Sequence, residues 1–268
     1  GSFFESVDFI GAVGGDDDWR QGWAFGFGGG EVTAGGSEAP VAGCPAGTEA
    51  ITPIDGSTTT CELEGRYTDD LTLTAGNYYA LTGAVFIGGD NADSATLTIE
   101  PGVTVYGRTG NDYLVISRGS DIDAQGTAEE PITLTSAIDV ETGEGMPGQW
   151  GGLIVLGNAP SNKCPSDGSD CALQVEGAEE GAVFGGTDET DNSGVLRYLV
   201  VKHGGFEIAP DNELNGITFG GVGSGTTVEY LQVHGNSDDG IEMFGGNVDF
   251  KHVVLTGMQD DSIDWDNG

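Results

Sequence analysis

Basic side chains are what this chain has least of: 8 Lys and Arg stand against 44 Asp and Glu, a formal net charge of −36. So acidic a surface repels polyphosphate backbones and anionic lipid, which excludes nucleic acid and the membrane surface as natural partners. No apolar run reaches about 18 residues, so no transmembrane span is expected. No charged-then-apolar leader opens the chain, which therefore reads as a mature product or a fragment. Amphipathic helices are missing as well, because no 3.6-residue apolar period appears anywhere. Phosphate loops, nucleotide fingerprints and Ser-His-Asp arrangements are absent; GGVGSG at 220–225 precedes a strand rather than a helix and reads as a turn.

What is present is glycine, 49 residues of it, interspersed with Val, Ile, Leu, Thr and aromatics and lacking the every-third period of collagen. That mixture predicts many short strands joined by many turns. Four cysteines fall into two local pairs, Cys44 with Cys61 and Cys164 with Cys171. Disulfides in an oxidising compartment fit this spacing better than a thiolate metal site, which wants gaps of about two to four residues. Self-repulsion on the scale of −36 calls for divalent cations or high ionic strength, so the expected setting is secreted or extracellular, salty or calcium-bearing.

Three regions are expected: an aromatic docking or assembly segment at 1–27, a flexible linker at 28–43 and a β domain at 44–268. Phe3, Phe4, Phe9, Trp19 and Trp23 crowd the first region, and exposed they would be sticky. The linker, GGGEVTAGGSEAPVAG, has neither helical nor strand period. Within the third region, VEYLQVHGNSDDGIEM (228–243) aligns on VDFKHVVLTGMQDDSIDW (248–265) with an offset growing from 20 to 22 residues. The alignment places Val228 on Val248, Tyr230 on Phe250, Ile241 on Ile263 and Met243 on Trp265. A repeat of about 20–24 residues is too short for a propeller blade, which leaves a β-solenoid with stacked apolar ladders. Its outward rows would stack Glu229 on Asp249 and Glu242 on Asp264, like charges that need a cation or salt between them.

The stretches CPAGTE (44–49), LTLTAGNYYALTGAVFIGGD (71–90), LTIEPGVTVYG (97–107), GQWGGLIVLGNAP (148–160) and SDDGIEMFGG through DDSIDWDNG (237–268) resemble a group of bacterial exported or lipoprotein-type proteins to which no reaction is assigned. The resemblance implies an all-β, right-handed parallel β-helix and carries over no catalytic residue. In that group a phrase like FFESVDFIGAV with DWRQGW closes the protein, whereas here it opens at Phe3; Gly268 falls in mid-repeat. The expectation drawn from this is head-to-tail self-assembly, residues 1–27 of one copy covering the next.

Acidic turns supply the candidate metal ligands: Asp90, Asn91, Asp93, Asp188, Asp191, Asp238, Asp239, Asp260, Asp261, Asp264 and Asp266. Calcium takes six to eight hard oxygens, which turns mixing Asp, Asn and backbone carbonyls provide, although no EF-hand spacing is present. Asp238, Asp239, Asp260 and Asp261 double as weak catalytic candidates, since glycoside hydrolysis needs two carboxylates about 5–9.5 Å apart. Because DDG and DDS recur with the repeat, structure outweighs catalysis. A lyase would need a Lys or Arg base; Arg197, Lys202 and Lys251 lie in the clear repeats, where they are expected to offset acidic rows. His203, His234 and His252 are expected as surface residues, with Gln232 one repeat before His252. The functional expectation is a calcium-stabilised structural or adhesive building block of a bacterial surface layer or fibre. The alternative is a carbohydrate-active β-helix enzyme or a passive polysaccharide-binding module.

Overall fold

The computed structural model describes residues 10–29, 43–165, 170–178, 181–210 and 212–268. β-branched and aromatic residues alternate with turn residues along the third region, and most runs become short strands that pair in parallel with their equivalents on the next coil. The result is a right-handed parallel β-helix built on one 16-stranded sheet that wraps around the core. One stack of strands runs through Tyr78–Ile87, Tyr113–Ile116, Gly152–Leu156, Ile217–Gly220, Ile241–Phe244 and Ile263–Asp266.

Alternate residues point inward and form ladders. Val85, Leu114, Leu153, Ile217, Ile241 and Ile263 lie in register, one per coil, and the first five are sealed from solvent. A second ladder runs Tyr79, Val105, Leu134, Val201, Val233, Leu255. Each rung removes apolar surface from water at about 25 cal/mol per Å², so stacked coils stabilise one another where a lone coil could not.

The register of the last two coils departs from the offset read in the sequence. The spacing is 22 residues throughout, so Val228 sits on Phe250, not Val248, and Glu229 on Lys251, not Asp249. Tyr230, not Gln232, is the equivalent of His252. Ile241 on Ile263, Glu242 on Asp264 and Met243 on Trp265 stand as expected. The correction turns one outward row from all acidic to alternating: Arg197 faces Glu229, which faces Lys251, and Arg197 Nη2 pairs with the Glu229 carboxylate.

Tyr198, Tyr230 and His252 all adopt left-handed backbone, with φ of 47°, 56° and 54°. They bend three successive coils at one place and stack their rings at centroid distances of 4.4 and 4.3 Å. That exterior aromatic column receives the opening segment: Trp19 packs on His252 and Tyr230, and Trp23 on Tyr198 and Tyr230. Gln232, fully buried, clasps the Phe25 backbone, accepting from its N–H at 2.6 Å and donating to its carbonyl at 3.1 Å. Trp19 and Trp23 are thus occupied by their own chain's helix. Phe3, Phe4 and Phe9 lie outside the described residues, as does the linker from 30 to 42; Gly28 and Gly29 still belong to the docked strap.

Both expected disulfides are formed, Cys44–Cys61 with Cα atoms 5.5 Å apart and Cys164–Cys171 at 5.1 Å. The second lies in an excursion between Leu156 and Gly194 that folds over the outer face of the first stack. There Phe86, Val115 and Ile154, the outward residues of three successive strands, form a second apolar core with Val175, Ala182 and Phe184.

Candidate functional site

The outward column that begins at Phe86, Val115 and Ile154 changes character as it leaves the cover of that excursion, continuing as Thr218, Glu242 and Asp264. The turns entering the last two strands bring Asp238 and Asp239, then Asp260 and Asp261, onto adjacent coils, where Asp261 N–H donates to Asp239 Oδ1 at 2.9 Å. Two sets of carboxylates converge: Asp238 with Asp239 and Asp260, and Asp239 with Glu242 and Asp264. Within each set the nearest oxygens lie no more than 4.8 Å apart.

Burial, reinforced by crowding of like charges, raises these carboxyls. Burial, then Asp239, Glu213 and Asp260, push Asp238 up to about 7. Asp239 rises to about 6, burial outweighing the Asp261 N–H that it accepts, with Asp264, Asp260 and Asp261 adding to the rise. Glu242 climbs to about 8 through burial against an opposing hydrogen bond from Asn215, with Asp239, Asp264 and Glu176 adding repulsion. A proton or a metal cation relieves such a site.

The residues fit a hard cation. Asp239, Glu242 and Asp264 supply converging oxygens, and the carboxamide of Asn215, 5% exposed, donates through Nδ2 to Glu242 while its Oδ1 is buried with no partner among the described residues. A neutral oxygen left over beside carboxylates is a donor of the kind calcium recruits. In each set one oxygen per side chain comes within 4.8 Å of the others, a convergence that a shared cation can bridge.

Among the expected ligands, Asp238, Asp239, Asp260 and Asp264 are brought together; Asp261 contributes its backbone N–H. The rest lie outside these two clusters. Asp90 pairs with Arg118 at 2.5 Å, Asp188 accepts from its own turn at Thr190, and Asp191 accepts from the Asn158 backbone and the Ser193 hydroxyl. Asn91 hydrogen-bonds Asn158, while Asp93 closes a turn with Gly89 and the Asp266 carbonyl accepts from Gly245. Glu242 was read from the sequence as a like-charge row over Asp264 but not named among the ligands, and Asn215 was not read at all, since nothing local marks it.

The basic residues are also placed. Lys202, expected to offset an acidic row, is instead 1% exposed and pairs with buried Asp139 at 2.8 Å. His203, expected at the surface, is 5% exposed and approaches the same carboxylate at 3.6 Å; Phe25 of the strap covers Lys202 and His234. With Arg197 paired to Glu229 and Lys202 to Asp139, these two lyase-base candidates are both engaged in ion pairs.

A family model described as a pectate-lyase-like β-helix domain matches residues 65–268. Neither a curated protein nor a solved structure matches the chain.

Proposed function

Because the chain belongs to the family of pectate-lyase-like β-helix domains, we propose that it is an extracellular, calcium-stabilised module that engages polysaccharide at a cell surface without cleaving it. The observation that carries this reading is the carboxylate ladder of Asp238, Asp239, Glu242, Asp260 and Asp264. A family β-helix with two disulfides suits the cell exterior, where calcium is plentiful. Calcium bound there would supply the positive charge that this face of the helix lacks, holding the last two coils together. Calorimetric titration of calcium into the chelated protein tests the site: the wild type binds with a one-site isotherm, and Asp239→Asn with Glu242→Gln loses at least tenfold in affinity. An unchanged isotherm in the double variant removes the site.

A second reading has one observation in its favour. Asp238 stays protonated to about pH 7 beside other carboxylates, as a general acid of glycoside hydrolysis does. Release of reducing ends from a polysaccharide panel, abolished in Asp238→Asn, would establish it; no release at any pH from 4 to 8 eliminates it.

A further inference from the structure

A second site lies on the same stack, at the far ends of its earlier strands. Tyr78–Ile87, Tyr113–Ile116 and Gly152–Leu156 finish one above another, and the turns after them present Asp90 and Asn91, then Arg118, then Asn158. The disulfide loop at Cys171 and the segment Gly185–Asp188 stand opposite, enclosing a cleft of about 550 Å³, within the range of small-ligand sites. Gly186 permits that close wall, since a Cβ there would lie 2.3 Å from the Asn158 carbonyl.

The polar groups of the cleft are held rigidly. Arg118, 9% exposed at its side chain, is fixed by Asp90 through Nε and by the carbonyls of Cys171 and Gly185 through Nη1. Nη2 takes no hydrogen bond among the described residues, and Arg118 lines the cleft. Asn91 and Asn158 exchange reciprocal side-chain hydrogen bonds of 2.8 and 3.2 Å, and Asn158 is pinned again by Asp191. Asn91 itself sits in left-handed backbone, φ 54°, with its N–H on the Arg118 carbonyl. Groups locked in place before binding lose little entropy when a ligand arrives.

Charge selects the ligand class. The Arg118 charge is matched by Asp90, and Asp170 and Asp188 line the same walls, so an anion meets net negative potential. Among the described residues, three or more acidic side chains do not converge here as they do in the ladder. Planar amides, carboxylates and a guanidinium spread over a shallow cleft suit neighbouring hydroxyls, each of which donates to one oxygen and accepts from one N–H. We propose that this cleft binds a neutral hexose unit of a polysaccharide, a placement that rests on the glycan-engaging reading above and sets it apart from the calcium ladder.

Affinity electrophoresis of the full chain through gels containing dextran, mannan or galactan, with calcium present, tests it. The wild type is retarded by at least one of them. Arg118→Gln and Thr187→Trp each weaken that retardation at least tenfold, the second by filling the mouth from an exposed position outside the core. Retardation that survives both variants but is lost in the ladder variant Asp239→Asn with Glu242→Gln overturns the cleft and leaves glycan binding standing. Absence of retardation by all three polymers overturns both.

Discussion

Asp139 and Lys202 form a 2.8 Å ion pair with both side chains almost wholly removed from water. Burial opposes the charge on Asp139, but the adjoining His203 ring, the charge and hydrogen bond of Lys202 and the Thr135 hydroxyl together hold its carboxyl well below the usual range. A depressed folded pKa means that the pair's contribution is complete above the unfolded carboxyl value near 4 and is lost as pH falls further. Lys202→Met strands a buried carboxylate and is expected to cost about 3–5 kcal/mol in urea melts at pH 7. Lys202→Met with Asp139→Leu is expected to recover most of that loss, because no unpaired charge remains; a double variant as unstable as the single would mean that packing, not charge, dominates. Residues of this kind are hard to read in a sequence. Lys202 looked like one more surface cation because its partner sits on a short helix, Ala137–Thr142, belonging to a different coil. Arg118 was equally anonymous, its partners being a turn carboxylate and two distant carbonyls.

At the scale of the element, strand identity and the inward ladders followed directly from alternating β-branched residues, and the Asp-Asp pairs marked where the last two coils turn. Register was legible only in part. The pattern Val-x-Tyr/Phe in residues 228–230 and 248–250 invited an offset of 20, while the backbone keeps one of 22 so that three left-handed residues, Tyr198, Tyr230 and His252, fall in a column. Apolar matching alone does not detect a bend, and a shift of two residues preserves the inward face, so either register satisfies the core. What decides is the exterior: the chosen register stacks three rings and places Lys251 on Glu229. That column is also the seat of the strap. Trp23, 1% exposed, fills it, and Trp23→Ala is expected to cost about 3–5 kcal/mol locally. The loss should appear as rapid trypsin cleavage at Arg20 with the β-helix intact; cleavage as slow as in the wild type would show that Gln232 and Phe25 hold the strap unaided.

For the whole molecule, a net charge of −36 works against compactness, and the carboxylate ladder is where that penalty concentrates. Asp239, Asp238 and Glu242 have folded values raised to about 6, 7 and 8, above those of free carboxyls. A raised folded value means the native state binds more protons than the unfolded chain, so the stability it confers is complete below about pH 4 and drains away as pH climbs through 8. The chelated protein is therefore expected to melt at a higher temperature at pH 5 than at pH 8.5, the reverse of a protein held by ordinary carboxylate ion pairs. Salt should help at pH 8.5 by screening, as the Debye length shrinks from about 30 Å at 0.01 M to 3 Å at 1 M. Calcium should do more than sodium chloride of equal ionic strength, because it occupies a site and does not merely screen. At a hundred times its dissociation constant it adds about 2.7 kcal/mol, or roughly 5–10 °C of melting temperature for a domain of this size. Glu242→Gln with Asp239→Asn separates the two effects: its chelated form should melt higher than the chelated wild type at pH 8.5, since two repelling charges are gone, while calcium no longer shifts it beyond what salt achieves. Scanning calorimetry of both proteins at pH 5 and 8.5, with chelator, calcium or matched sodium chloride, reads all of these differences. A wild-type midpoint that rises with pH under chelation would mean that the ladder carries no unrelieved charge, and the cation would lose its physical reason to bind there.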